Sequence, residues 1–190
     1  ERLAEVVMYH AFAALKACDS AGVSVPQVGV NFDGAELKNP QLINKVEWEL
    51  DRFDLSPERL SVEILETVVT SEPDDMITRN VIALGELGCR IDLDDFGTGH
   101  ASIASIRRFS VSRIKIDRSF VMKADRDPEQ QRMISAILTM AERLNVETLA
   151  EGVESVGEHV LLAQLGCHHV QGYGIARPMP FEETLDWIVS

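Results

Sequence analysis

The chain has 190 residues, of which 45% are hydrophobic and 26% charged, and this composition excludes disordered, collagen-like and low-complexity proteins. Its 31 acidic residues outnumber the 18 basic ones and leave a net charge of −13, so a nucleic-acid polymer is not expected as a partner. No apolar run approaches the roughly 20 residues that span a bilayer. The three cysteines are widely spaced, as is typical of a cytoplasmic protein. We expect a single domain over 1–190.

Segments with helical spacing of apolar residues alternate with short strand-like segments along the whole chain. The predicted elements, in chain order, are a helix over 3–17, a strand over 28–32, a helix over 39–53, a strand over 60–65, a helix over 73–87, a strand over 90–95, a short helix over 103–109, a strand over 111–117, a helix over 127–144, a strand over 147–153, a helix over 155–165, a strand over 169–175 and a helix over 181–189. Because each crossover between parallel strands needs a helix, this alternation predicts an α/β protein with a parallel sheet.

Local signals mark several helix ends. Asn39 and Pro40 are predicted to begin the second helix, and Gly88 to end the third. Ser155 and Glu158 have the spacing of a capping box. In the helix over 127–144 the apolar repeat has steps of four, three and four residues and consists of Met133, Ile137, Met140 and Leu144.

Such a sheet can have either of two architectures, an open doubly wound sheet or a (β/α) barrel. Strands of a doubly wound sheet are covered by helices on both faces and should be apolar on both. In the strand over 111–117, however, Ile114 and Ile116 point one way while Arg113, Lys115 and Asp117 point the other. A charged strand face favours a barrel that is polar inside near its mouth, where barrel enzymes place their chemistry.

Polar side chains gather where the predicted strands end. They are Asn31, Glu63, Asp94, Asp95, Lys115, Glu151 and Gln171. Carboxylates that converge on one mouth repel each other unless a cation compensates. Their oxygen atoms suit Mg²⁺ or Mn²⁺, and two adjacent Asp residues have the composition of a two-ion site for phosphoester displacement.

Several of these residues stand in motifs that resemble those of the EAL-domain family, bacterial phosphodiesterases that linearise cyclic di-GMP to pGpG. The motifs are Val30-Asn31, Glu63-Ile64-Leu65-Glu66, Asp94-Asp95-Phe96-Gly97-Thr98-Gly99, Lys115-Ile116-Asp117, Ala150-Glu151-Gly152-Val153-Glu154 and Gln171-Gly172-Tyr173. Each match is weak alone, but their order and spacing together are specific. The resemblance runs from about Leu3 to Trp187.

The resemblance implies a (β/α)8-like TIM-type barrel whose first strand and helix are missing here, so that 1–190 is an N-terminally incomplete EAL-type domain. It also implies residue roles. The implied metal ligands, for two Mg²⁺ or Mn²⁺ ions, are Asn31, Glu63, Asp94, Asp95 and Glu151. Lys115 and Glu151 would be catalytic, Gln171 would bind substrate, and Glu66 would brace the loop after Asp95.

Departures from the family pattern leave a second function open. The loop residues His100-Ala101-Ser102 replace an aromatic and two serines, and Asp92 adds a charge two residues before Asp94. The altered loop and the missing first strand leave open the alternative of a catalytically inactive cyclic di-GMP receptor or protein-interaction module. The resemblance further implies a homodimer, and an attached GGDEF or sensory domain in a parent protein that can be membrane-anchored.

Overall fold

The computed structural model describes residues 2–70, 75–98 and 103–189. The elements are α1 (Arg2–Ser20), β1 (Val28–Asn31), α2 (Gly34–Leu37), α3 (Leu42–Arg52), β2 (Leu60–Leu65), α4 (Met76–Leu87), β3 (Arg90–Phe96), α5 (Ile103–Arg108), β4 (Arg113–Ile116), α6 (Arg118–Val121), α7 (Pro128–Leu144), β5 (Glu147–Ala150), α8 (Val156–Leu165), β6 (His169–Val170) and α9 (Phe181–Val189). None of the helices in these ranges is long and apolar enough to cross a membrane.

The strands lie in one sheet in the order β1-β2-β3-β4-β5-β6. β1 pairs in parallel with β2, and β3, β4, β5 and β6 pair in parallel in succession. The predicted α/β class with a parallel sheet is therefore confirmed. Because the ends of paired parallel strands lie at the same edge, the residues after β1 and β2 share an edge, as do those after β3, β4, β5 and β6.

The chain forms two compact units, and the first comprises residues 1–64, 71–91 and 178–190. In it α1 packs against β1 and α3, and α2 and α3 pack against α4. The buried face of α1 consists of Met8, Phe12, Leu15 and Cys18. α4 ends at Gly88, whose φ of +108° is the left-handed cap that the sequence predicted.

The second unit comprises residues 65–70 and 92–177. Its core joins β4, α6, α7, β5 and α8 through Ile116, Val121, Ala124, Ile134, Leu138, Ala150, Val153 and Leu162. The buried stripe of α7 is thus Ile134, Leu138 and Ala141, whereas Met133 is 47% exposed. The predicted apolar repeat is offset by one residue from the stripe that is buried.

Other predicted boundaries are wrong or incomplete. Asn39 does not cap α3, because that helix begins at Leu42 with Gln41 at its N-cap, and the Asn39 side chain instead accepts the N–H of Gln41. β6 covers only two of the seven predicted residues. The short helices α2 and α6 were not predicted. Pro73, the predicted start of α4, and the loop residues His100, Ala101 and Ser102 lie outside the described residues.

Candidate active site

Three carboxylates and one ammonium group meet at the strand ends of the second unit. One oxygen each of Asp94, Asp95 and Glu151 lies within 4.8 Å of the others. The Lys115 Nζ atom is 3.1 Å from Asp94 Oδ1 and 2.9 Å from Glu151 Oε1. The structure therefore brings together four of the residues that the sequence singled out.

A bulge in β3 explains how two consecutive aspartates reach one cluster. Strict alternation would send Asp94 and Asp95 to opposite faces of the sheet. Leu93 pairs with Ile114 and Phe96 with Ile116, so β3 has one residue more than β4 across this step. Asp95 takes up the extra residue with a φ of +54°. The bulge re-aims its side chain, as bulges near functional sites commonly do.

The neighbouring strands position Lys115 and Glu151. Lys115 pairs with Leu149 in the regular ladder between β4 and β5. One step beyond the ladder, the Glu151 N–H donates to the Ile116 carbonyl at 3.0 Å. The Lys115 side chain is only 5% exposed and that of Glu151 20% exposed, so the contact between them is largely shielded from water. Such shielding strengthens an ion pair relative to one at the surface.

The pKa of Asp95 is raised by burial and by the close approach of neighbouring carboxylates. Burial raises its pKa, and repulsion from Asp94, Asp117 and Glu66 raises it further, while Lys115 lowers it in part. One ammonium group therefore does not offset the negative charge around Asp95. The ionised form of Asp95 is destabilised unless further positive charge is supplied.

Glu66 contacts the loop that follows Asp95. Its side chain is buried, and its Oε2 accepts the Gly97 N–H at 3.0 Å. Gly97 has a φ of +100°, and a side chain there would collide with the Phe120 ring, 2.7 Å from the ideal Cβ position. The loop is thus held between Glu66 and Phe120 and requires glycine at this position.

Gln171 follows β6 directly and is exposed. Its N–H donates to the Ala150 carbonyl at 2.8 Å, and its carbonyl accepts the Val153 N–H at 3.0 Å. The partners in these two bonds, Ala150 and Val153, lie on either side of Glu151 in the sequence. Gln171 therefore lies beside the β5 end that carries Glu151.

Asn31 and Glu63 lie in the first unit and are register partners at the ends of β1 and β2. The Glu63 carboxylate lies over Gly29, where a Cβ would collide with Glu63 Oε1. Gly29 thereby leaves room for the carboxylate. That Asn31 and Glu63 are metal ligands stays a prediction.

Sequence reasoning missed one contact close to the cluster. The Arg113 Nε atom donates to Asp92 Oδ2 at 2.9 Å, and both side chains are buried. The sequence placed Asp92 and Arg113 on the polar faces of their strands, yet the pairing depends on the register of β3 against β4. The one available signal was that each stands two residues before a predicted site residue.

The donor set of the cluster fits a hard divalent cation. Asp94, Asp95 and Glu151 each offer carboxylate oxygen, the ligand that Mg²⁺ and Mn²⁺ favour. Burial, together with the neighbouring carboxylates, raises the pKa of Asp95, and a bound cation would offset both effects. Among the described residues no cysteine or histidine belongs to such a cluster, which excludes a typical zinc set there.

A family model for the EAL domain matches residues 1–178. The chain belongs to the EAL-domain family. Signaling protein YkoW of Bacillus subtilis is 34% identical to this EAL domain over 163 residues, and the cyclic di-GMP phosphodiesterase RocR of Pseudomonas aeruginosa is 36% identical over 157 residues. The matches cover 86% and 83% of this chain but only 20% and 40% of the two relatives.

A solved relative shows the same fold. The phosphodiesterase PaMucR, in its complex with c-di-GMP, matches with a TM-score of 0.89 and 30% identity, and the match covers 96% of this chain and 74% of that one. The predicted barrel-like fold class is confirmed by this match. This EAL domain spans less than half the length of the two curated relatives.

Proposed function

We propose that this EAL domain is a metal-dependent phosphodiesterase that hydrolyses cyclic di-GMP to linear pGpG. The observation that carries the proposal is the buried Lys115 ammonium group, which lies 3.1 Å from Asp94 and 2.9 Å from Glu151 in a cluster of three carboxylates. The family and its named phosphodiesterases support the same activity.

The side chains can orient and deprotonate a water molecule. In our proposal the Lys115 ammonium group donates a hydrogen bond to the attacking water, and the Glu151 carboxylate accepts a proton from it. Attack on phosphorus opposite one ribose 3′ oxygen forms a new P–O bond and breaks the bond to that oxygen, which takes up a proton. The products carry a free 3′ hydroxyl at one end and a 5′ phosphate at the other, as pGpG does.

A bound divalent cation explains how an acidic site accepts a dianion. Asp94, Asp95 and Glu151 would hold Mg²⁺ or Mn²⁺, with Asn31 and Glu63 as the further predicted ligands and two ions expected in all. When bound, these ions supply positive charge to a phosphate oxygen and lower the pKa of nearby water. In our proposal Gln171 contacts the substrate at the edge of the site, and Glu66 holds the loop after Asp95 through Gly97.

The curated relatives suggest a larger protein around this domain. One relative of 33% identity is the bifunctional diguanylate cyclase/cyclic di-GMP phosphodiesterase MucR, and one of 30% identity is the oxygen sensor protein DosP. This chain covers 23% and 24% of them. We propose that the EAL domain works beside a GGDEF or sensory domain, and as a homodimer.

The first test is a chromatographic assay of cyclic di-GMP hydrolysis with Mg²⁺ or Mn²⁺, with EDTA, and with Glu151→Gln. The wild-type protein should form pGpG only with metal. Loss of the Glu151 carboxylate should lower kcat by about 100-fold or more, because the proton acceptor and a metal ligand are removed together.

Glu147→Gln is the matched control. Glu147 begins the same strand β5, is 41% exposed in its side chain and lies outside the carboxylate cluster, so its variant should retain activity. Metal-independent turnover, or a Glu151→Gln variant as active as the control, would contradict the catalytic assignment. Cyclic di-GMP binding without any product would favour the receptor function instead.

A further inference from the structure

A buried ion pair lies next to the active-site cluster in the same two strands. Arg113 Nε donates to Asp92 Oδ2 at 2.9 Å, and Arg113 Nη2 contacts the same oxygen. Asp92 is fully buried, and Arg113 is 8% exposed. Among the described residues no hydrogen-bond partner reaches Asp92 Oδ1, so the carboxylate depends on Arg113 for its stabilisation.

The ion pair occupies the layer below the catalytic residues. Asp92 and Arg113 are register partners on β3 and β4, each two residues before Asp94 and Lys115. Residues two apart on a strand face the same way and are separated by about 6.6 Å. The polar face thus holds two charged layers, Asp92 with Arg113 below, and Lys115 with Asp94 and Glu151 above.

Each partner in the lower layer neutralises a charge that would otherwise act on the upper layer. A buried charge at this distance is poorly screened by solvent or salt, so its field reaches the carboxylate cluster. Without Arg113, the Asp92 carboxylate would compete with Asp94 and Glu151 for the Lys115 ammonium group. Without the Asp92 charge, the guanidinium group would oppose a cation held by the cluster.

We propose that Asp92 and Arg113 form a positioning pair that keeps Lys115 on Asp94 and Glu151 and sets the affinity of the carboxylate cluster for divalent cations. This inference rests on the proposed function, since it concerns the cation that the phosphodiesterase reaction needs. The pair acts through its charge on the cluster above it and contacts neither substrate nor metal.

The test is a Mn²⁺ titration of the folded, metal-free protein, in which electron paramagnetic resonance measures free Mn²⁺. Arg113→Met removes the partner of the buried Asp92 carboxylate and should lower kcat, because Lys115 is drawn from Asp94 and Glu151 towards Asp92. Asp92→Asn leaves the guanidinium charge uncompensated and should weaken Mn²⁺ binding about tenfold. The double variant should return to within about threefold of wild type, because both charges are gone.

Rescue by the double variant separates this role from a structural one, because a loss of packing at Asp92 would not be repaired by a second substitution at Arg113. Arg113→Lys keeps the charge and should bind Mn²⁺ like wild type, so it and Asp92→Asn decide the matter if Arg113→Met does not fold. Equal Mn²⁺ affinities in wild type and Asp92→Asn, or a double variant that binds Mn²⁺ as weakly as Asp92→Asn, would overturn the inference while leaving the proposed function intact. A wild-type protein that binds no Mn²⁺ would overturn both.

Discussion

At the scale of single residues, the backbone conformation and the charge of Asp95 both destabilise the metal-free protein. Its backbone has a φ of +54°, an uncommon conformation that Asp and Asn tolerate better than most residues. Burial and three neighbouring carboxylates raise its pKa. The ionised Asp95 side chain therefore lowers the stability of the metal-free protein. A cation bound beside it would remove the repulsion from the neighbouring carboxylates.

Asp95→Asn should therefore stabilise the metal-free protein near neutral pH and abolish most of the stabilisation by Mn²⁺. Because the folded pKa of Asp95 lies above the unfolded value of about 3.9, the wild type loses stability as pH rises through the folded pKa. The advantage of the variant should grow from about pH 4 towards neutrality. Differential scanning fluorimetry at several pH values, with EDTA or Mn²⁺, measures both effects.

Asp54→Asn is the control for the backbone. Asp54 also has a positive φ, of 50°, but its side chain is fully exposed and pairs with Lys16 at 3.8 Å. Its variant tests the same change of residue type without the acidic neighbours. An equal gain in midpoint temperature in both variants would show that repulsion at Asp95 is not the cause.

At the scale of elements, the buried Glu158 ties the N-terminus of α8 to the connection after α6. Its carboxylate accepts the backbone N–H groups of Lys123 at 2.8 Å, Glu154 at 2.9 Å and Ser155 at 3.0 Å. Ser155 Oγ in turn accepts the Glu158 N–H at 3.2 Å, which completes the predicted capping box. The bonds hold the segment that carries Glu151 between β5 and α8.

Glu158→Ala should lower the free energy of unfolding by about 1–3 kcal/mol, because it leaves three partly buried N–H groups without their acceptor. Burial alone would raise the pKa of Glu158, but the hydrogen bonds from Lys123, Glu154 and Ser155 outweigh it and lower the pKa. The contribution should thus be complete above the unfolded pKa of about 4.3 and disappear as pH falls through the lower folded pKa.

Urea unfolding at neutral and acidic pH measures this prediction. Glu142→Ala is a suitable control, because Glu142 is exposed on α7. Equal urea midpoints for the two variants at neutral pH would contradict the role of the Glu158 carboxylate. So would a difference in midpoint between wild type and Glu158→Ala that increases as the pH falls.

At the scale of the whole molecule, a net charge of −13 attracts every divalent cation diffusely, so a specific site must be distinguished from general counterion binding. Diffuse attraction is screened within about 10 Å at 0.1 M salt and more strongly above that. Binding between Asp94, Asp95 and Glu151 would be direct coordination by three largely shielded carboxylates and should resist salt.

Mn²⁺ at about 100 times its dissociation constant should raise the unfolding midpoint by about 5–10 °C, and the shift should persist in about 0.5 M KCl. Asp94→Asn should lose it, whereas Glu142→Gln, which removes the same formal charge from an exposed position, should keep it. Thermal unfolding with and without KCl measures the effect. A shift that KCl removes equally from all three proteins would assign it to the net charge.

The sequence predicted most elements of the fold and four residues that the structure brings into one cluster, because these depend on local patterns. Helical and strand spacing located the strands, although β6 covers only two of its seven predicted residues. Gly88 and the Ser155–Glu158 capping box were correct because a cap is a contact between near neighbours. The carboxylates and Lys115 were found from their positions at strand ends, where parallel strands bring their polar residues to one edge.

Tertiary structure decided what depends on contacts between distant segments. The face of α7 that is buried, with Ile134 rather than Met133, is set by neighbouring elements, because helical spacing alone leaves several adjacent faces almost equally apolar. Pairing between β3 and β4 sets both the bulge that brings the Asp95 side chain into the same cluster as Asp94 and the register that joins Asp92 to Arg113. By itself the sequence determined which charged residues stand at the strand ends, and only the pairing of strands decided which of them meet.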